Sequence, residues 1–100
     1  MKYVELNSGD KMPILGLGTW QLKGKNCVSS VEDALDIGYR HIDTADGYDN
    51  HQKVAQGIKK SELNRDELFI TSKIKPENLH YEDIKKDVKR FLNELDIKYL

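Results

Sequence analysis

Asp43, Tyr48 and Lys73 are the residues of this chain whose types and spacing could do chemistry. They stand in the strings "GYRHIDTADGY" and "ELFITSKI", each at the end of an apolar, strand-like run. A free tyrosine, with a pKa of about 10, is a poor proton donor to a carbonyl at neutral pH, and bringing it near 7 takes roughly 4 kcal/mol. One ammonium about 4 Å away, at an effective dielectric near 20, supplies about that much. Lys73 is placed to be that ammonium. A buried lysine without a counter-charge tends to lose its proton, and Asp43 is placed to be the counter-charge. The expected logic is therefore that Asp43 holds Lys73 charged, Lys73 makes Tyr48 acidic, and Tyr48 protonates a developing alkoxide. Such a buried ion pair would lose about 3–5 kcal/mol if one partner were removed.

Each residue taken singly has a plainer reading. A strand-terminal Asp caps a turn, a tyrosine packs half-buried, and a lysine lays its apolar stem on the surface with its head in water. At successive strand ends the three together favour the chemical reading.

The elements that must position them alternate. A turn cluster, Asn7-Ser8-Gly9-Asp10, lies between two extended pieces, Val4–Leu6 and Met12–Ile14, and predicts a β-hairpin. Ile14–Leu17 is a short strand ended by Gly18. Ser29-Ser30-Val31-Glu32 reads as a capping box that starts a helix, with Val31, Ala34 and Leu35 on its inner face and Gly38 as its stop. Tyr39–Asp43 is the next strand, followed by a helix over about 50–60 with Val54 and Ile58 inward. Leu68–Ile74 is a third strand after the polar turn Asn64-Arg65-Asp66. Ile84, Val88, Phe91, Leu92 and Leu95 mark the inner face of a last helix, with Glu82 and Asp83 at its positive end. Ile97–Leu100 reads as the start of a fourth strand. Strand–helix alternation of this kind predicts an α/β fold with a parallel sheet and right-handed crossovers. The ligand site of such folds lies at the carboxyl ends of the strands, so Gly18, Asp43, Tyr48 and Lys73 should share one rim. A flavodoxin-like sheet would also fit the alternation, though the N-terminal hairpin favours it less.

Composition narrows the classes. The chain has 100 residues, 33% charged and 38% hydrophobic, with a formal net charge of −1. This suits one soluble domain, with no basic excess for nucleic acid or an anionic membrane and no secretory or membrane-spanning stretch. A single cysteine, Cys27, excludes an intrachain disulfide, and the expected setting is the reducing cytoplasm. His41, His51 and His80 show no metal-ligand spacing, so no metal is expected. Gly16-Leu17-Gly18-Thr19-Trp20-Gln21 begins like a dinucleotide fingerprint but ends in Gln21, so no Rossmann site is inferred. Lys85, Lys86, Lys89 and Arg90 read as the solvated face of the last helix and nothing more.

The longer strings "MPILGLGTWQL", "ALDIGYRHIDTADGYDN", "RDELFITSKI" and "DVKRFLNELDIKYL" resemble the N-terminal part of the aldo-keto reductases, from about Val4 to Leu100. The resemblance implies a (β/α)₈ TIM barrel closed at its bottom by the hairpin, of which residues 1–100 are the hairpin, three βα units and the start of the fourth strand. It implies NAD(P)H-dependent reduction of aldehydes and ketones, usually with NADPH, and leaves the particular carbonyl open. The family's catalytic Asp, Tyr and Lys map onto Asp43, Tyr48 and Lys73. Gly18, Thr19, Trp20 and Asp43 correspond to the nicotinamide end of the cofactor site, and Trp20 and Tyr48 to the substrate wall. Asn50-His51 departs from the family's usual Asn-Glu, a change expected to touch the second helix start rather than the chemistry.

The family's histidine ends its fourth strand, just past Tyr99-Leu100, and the rest of the cofactor site comes later still. These 100 residues alone are therefore expected to be inactive. The rival readings are a half-barrel that binds a partner or self-associates, and a non-enzymatic relative like the barrel subunits attached to potassium channels.

Overall fold

A computed structural model describes residues 2–100. Strands β1 (Tyr3–Glu5) and β2 (Lys11–Pro13) pair antiparallel around the Asn7–Asp10 turn, as their spacing predicts. The main sheet is parallel, ordered β3 (Leu17–Gly18), β4 (His41–Asp43), β5 (Phe69–Thr71). Between and after these strands run α1 (Gly24–Asp36), α2 (His51–Ser61) and α3 (Tyr81–Leu95).

Register decides what each face carries. Leu17, Ile42 and Ile70 form one row across the sheet, and Gly18, Asp43 and Thr71 form the next. Side chains alternate along a strand, so Ile42 and Ile70 enter the helix-covered core with Cys27, Val31, Leu35, Val54, Leu68 and Leu95. His41, Asp43, Phe69 and Thr71 take the other face. There His41 meets Phe69 edge-on at 5.0 Å and faces the Thr71 hydroxyl at 3.2 Å, a satisfied structural histidine. Burial pushes the Cys27 thiol upward, away from the reactive thiolate.

Helix α1 begins at Gly24, so Ser29 lies inside it and the Ser29–Glu32 capping box is not its start. The apolar stripe explains this. Buried Cys27 and Val28 extend the Val31, Ala34, Leu35 face upstream by a turn, and burial outweighs a cap. Gly38 does end the helix, at φ +114. In α3, Phe91 and Leu95 are buried as the period predicts, but Val88 is 36% exposed while neighbouring Asp87 is buried. Asp87 turns inward because it accepts from Asn78 at 3.0 Å and from Arg90 at 3.3 Å.

The strands are shorter than their apolar runs. Ile14 and Leu15 stay outside the ladder and exposed, and β5 ends two residues before Lys73. Residues 97–100 form no ladder in this structure. Ile97 packs against the core, and the Tyr99 carbonyl accepts from the Arg65 guanidinium at 3.1 and 3.2 Å.

Helix α2 packs tightly against α1 at Gly57. A Cβ there would lie 2.6 Å from Val31 Cβ and 2.9 Å from the Val28 carbonyl oxygen. Alanine gains about 1 kcal/mol of helix propensity over glycine, but overpacking against backbone and a Cβ costs typically 1–3 kcal/mol. Sterics should win. Gly57→Ala is expected to lower stability by about 1–2 kcal/mol, read from chemical denaturation of the complete gene product. An unchanged or raised midpoint would show that α1 and α2 separate freely.

Candidate active site

The carboxyl ends of β3, β4 and β5 form the rim on which the candidate residues stand. Asp43 is the last residue of β4, and its carbonyl accepts from the Thr19 N–H at 3.0 Å and the Thr19 hydroxyl at 3.1 Å. Thr19 is fully buried, so it holds this strand end from beneath. Lys73 lies two residues past Thr71 and so keeps the Asp43 face. Its ammonium donates to Asp43 Oδ1 and, at 3.0 Å, to the Thr44 carbonyl.

Tyr48 is carried by a one-turn 3₁₀ helix, Asp46–Tyr48, in the loop after β4. The Lys73 Nζ sits 5.3 Å from the centre of the Tyr48 ring. Lys23, at the head of α1, donates to the Tyr48 carbonyl and pins the backbone from the other side. Asp43, Tyr48 and Lys73, separate in sequence, are thus brought together at one rim.

The electrostatics around Lys73 are a balance. Desolvation lowers its pKa, but the hydrogen bond and charge of Asp43, joined by the Tyr48 oxygen, outweigh it and hold the ammonium above its ordinary value. The pair is not buried, however. Lys73 and Asp43 side chains are 47% and 44% exposed, because the rim opens outward at the strand ends. The expected loss of 3–5 kcal/mol on breaking a buried pair therefore does not apply, and a half-exposed pair is worth about 1 kcal/mol or less.

Trp20, 68% exposed, stands on the same rim after Gly18. Gly18 borders open space, with no atom within 4 Å of where a Cβ would be. Beneath them Asn50 is a buried tie that composition gives no hint of. It accepts from the Thr44 hydroxyl at 2.8 Å and donates to the Thr19 and Leu22 carbonyls at 2.8 and 3.1 Å. His51, the first residue of α2, is buried and reaches Glu94 at 2.9 Å and Ser72 at 2.7 Å.

Arg90 overturns its reading as a merely solvated residue. Its guanidinium grips the Asp46 carboxylate with two bonds, 3.0 and 2.7 Å, and also reaches Glu94 and Asp87. The Arg90 hydrogen bond holds the Asp46 carboxyl below the usual carboxylate range, against desolvation that acts the other way.

With this rim in hand, the chain can be set beside known proteins. The Aldo/keto reductase family model matches residues 14–100. The chain belongs to the aldo/keto reductase family. Aldo-keto reductase family 1 member A1 of Rattus norvegicus is 38% identical over 102 residues, covering 97% of this chain and 31% of the relative. Methylglyoxal reductase DkgA of Escherichia coli (strain K12) is 44% identical over 71 residues, covering 71% of this chain and 26% of the relative. An aldo/keto reductase crystal structure from Brucella melitensis superposes with TM-score 0.94 at 38% identity, covering 99% of this chain and 39% of its own. The aldose reductase of Schistosoma japonicum gives TM-score 0.94 at 33% identity, covering 100% and 35%. The chain thus spans about a third of the length of these aldo-keto reductases, and its architecture is the N-terminal part of their TIM barrel. Among the described residues no helix is long and apolar enough to cross a membrane.

Proposed function

We propose that the complete gene product reduces the carbonyl group of small aldehydes and ketones to alcohols, with NADPH as cofactor and NADH as the alternative, in the cytoplasm. The observation that carries this is the Lys73 ammonium, held on the Asp43 carboxylate and set 5.3 Å from the Tyr48 ring at the strand-end rim of an aldo-keto reductase fold.

The rim suits a nicotinamide and its ribose. The exposed Trp20 indole and the open space beside Gly18 offer a flat, uncluttered wall. Asp43 Oδ1 takes the Lys73 ammonium, while Oδ2 takes no donor from the described residues and is left to accept from a sugar hydroxyl. Gly18, Trp20 and Asp43 would thus meet the cofactor, with Thr19 supporting them from below, and Trp20 and Tyr48 would face the substrate. When bound, a reduced nicotinamide supplies the hydride. Tyr48 supplies the proton to the carbonyl oxygen as negative charge develops there. The Lys73 ammonium stabilises the phenolate that remains, and Asp43 keeps that ammonium charged and in place. No residue of this group needs a metal.

The test is NADPH oxidation by the purified complete gene product against a panel of aldehydes and ketones. Methylglyoxal belongs in it, since one relative carries that substrate in its name. Residues 1–100 alone, run in parallel, should stay at background. The complete product should turn over at about 1 s⁻¹ or more on its best substrate. A product that binds NADPH yet reduces nothing would refute the reading and favour a binding module. Robust turnover by residues 1–100 alone would refute the assignment of part of the machinery to later strands.

A further inference from the structure

Arg90 lies on α3, on the helix layer rather than at the rim, yet the polar chain that starts from it ends at both Tyr48 and Lys73. On one side its two prongs hold Asp46, which is 8% exposed and is the first residue of the turn that carries Tyr48. Besides the Lys23 ammonium on the Tyr48 carbonyl, only backbone bonds fix that turn among the described residues. The Asp46 N–H donates to the Lys73 carbonyl at 3.1 Å, and Tyr48 N–H donates to the Ala45 carbonyl at 3.0 Å. Gly47 in its middle is exposed and packs on nothing. On the other side Arg90 holds both Glu94 oxygens, at 3.2 and 3.1 Å. Glu94 faces His51 Nδ1, and a nitrogen facing a carboxylate is the one that carries the proton. His51 Nε2 is then left to accept from the hydroxyl of Ser72, the residue before Lys73.

Resting on the reading of Tyr48 and Lys73 as the reacting pair, we propose that Arg90 is a positioning residue for carbonyl reduction. Its grip on Asp46 fixes the turn that aims Tyr48, and its contact with Glu94 steadies, through His51 and Ser72, the strand end that carries Lys73. The charge count supports the role. One guanidinium serves three carboxylates, Asp46, Asp87 and Glu94. Without it the turn would carry a buried carboxylate that has lost its two-pronged partner. Displacing a reacting group by about 1 Å can cost 10²-fold in rate. Asp46, His51 and Glu94 do offer ligand atoms within 4.8 Å of one another, a spacing a metal could bridge. Arg90 already stands on both carboxylates and both His51 nitrogens are engaged, so the set is complete as an ion-pair network.

The test uses the complete gene product carrying Arg90→Met, Arg90→Lys, Asp46→Asn and the double variant Arg90→Met with Asp46→Asn. Rates are expressed per site titrated with NADPH. Arg90→Met should lower kcat about 10–100-fold with the NADPH Kd unchanged within about twofold. Arg90→Lys keeps the charge but not the two-pronged geometry, and should recover part of the loss. The double variant should be no slower than the worse single, because both remove one device. Unchanged kcat per site with only a lower Tm would overturn the proposal, as would single losses that multiply in the double. If Arg90→Met does not fold, Asp46→Asn, which keeps the side-chain shape, decides by the same kcat criterion. Tyr48→Phe runs alongside. Should it stay active, the underlying reading falls and this proposal with it. Should it be dead while Arg90→Met and Asp46→Asn keep full kcat, this proposal alone falls.

Discussion

Replacing Tyr48 with Phe in the complete gene product is expected to cut kcat by about 10³–10⁴-fold while leaving NADPH affinity near its original value. The substitution removes one hydroxyl and nothing else. The ring stays half-buried in its turn, and the Lys73 ammonium keeps an aromatic face 5.3 Å away. The Asp46–Arg90 and Lys23 contacts are made to the turn and its backbone rather than to the phenol oxygen, so they survive. What disappears is the phenol proton that the proposed function sends to the carbonyl oxygen. Positioned general acids contribute typically 10²–10⁴-fold, and the upper part of that range applies where a strong base, an alkoxide, is forming. Single-turnover NADPH oxidation at saturating substrate measures the step directly, and fluorescence titration gives the cofactor Kd. A Phe variant within threefold of the parent would remove Tyr48 from the chemistry.

The positions and contacts of these residues were legible in the sequence to different degrees, and the reason is the range of the interactions involved. Asp43 could be placed because register follows from a short period-2 pattern and a strand end follows from the loss of that pattern. Phe91 and Leu95 could be placed because helix period is a local property. Strand lengths could not: the run Leu68–Ile74 reads as one strand, opened by three apolar residues, but only Phe69–Thr71 finds ladder partners. The start of α1 was misplaced because Ser29 and Glu32 have the composition of a cap. Whether the chain is already helical there depends on what Cys27 and Val28 pack against. Arg90 is the sharpest case. Its position among Lys85, Lys86 and Lys89 gives it the pattern of a solvated face, and its main partner, Asp46, lies 44 residues away in sequence. Nothing in local spacing couples those two positions. The same holds for Asn50, whose amide closes a loop begun 31 residues earlier. Polar ties between distant loops leave no periodic trace, and here they surround the candidate site.

Lys73→Met carries the second large expected effect, and its interest is that rate and stability should part. The ammonium loses an ion pair in which both side chains are nearly half exposed, so unfolding stability should change by about 1 kcal/mol or less. The rate should respond far more. At about 4 Å and an effective dielectric near 20 an ammonium stabilises a neighbouring anion by about 4 kcal/mol, and exposure of the rim screens part of that. What remains corresponds to a loss of about 10²–10³-fold in kcat. Methionine matches the length of the lysine stem, which isolates the charge from the packing. Because the folded state holds Lys73 above its ordinary pKa, the ammonium is fully charged throughout the neutral range. The parent's rate should therefore show no inflection from Lys73 between about pH 6 and 9, and the loss in the variant should be the same across that window. Lys73→Met that unfolds several kcal/mol more easily but turns over at the parent rate per folded site would make Lys73 a structural residue. It would also leave Tyr48 without the cation that suits it to donate a proton, so the three-residue mechanism would have to be abandoned as a whole.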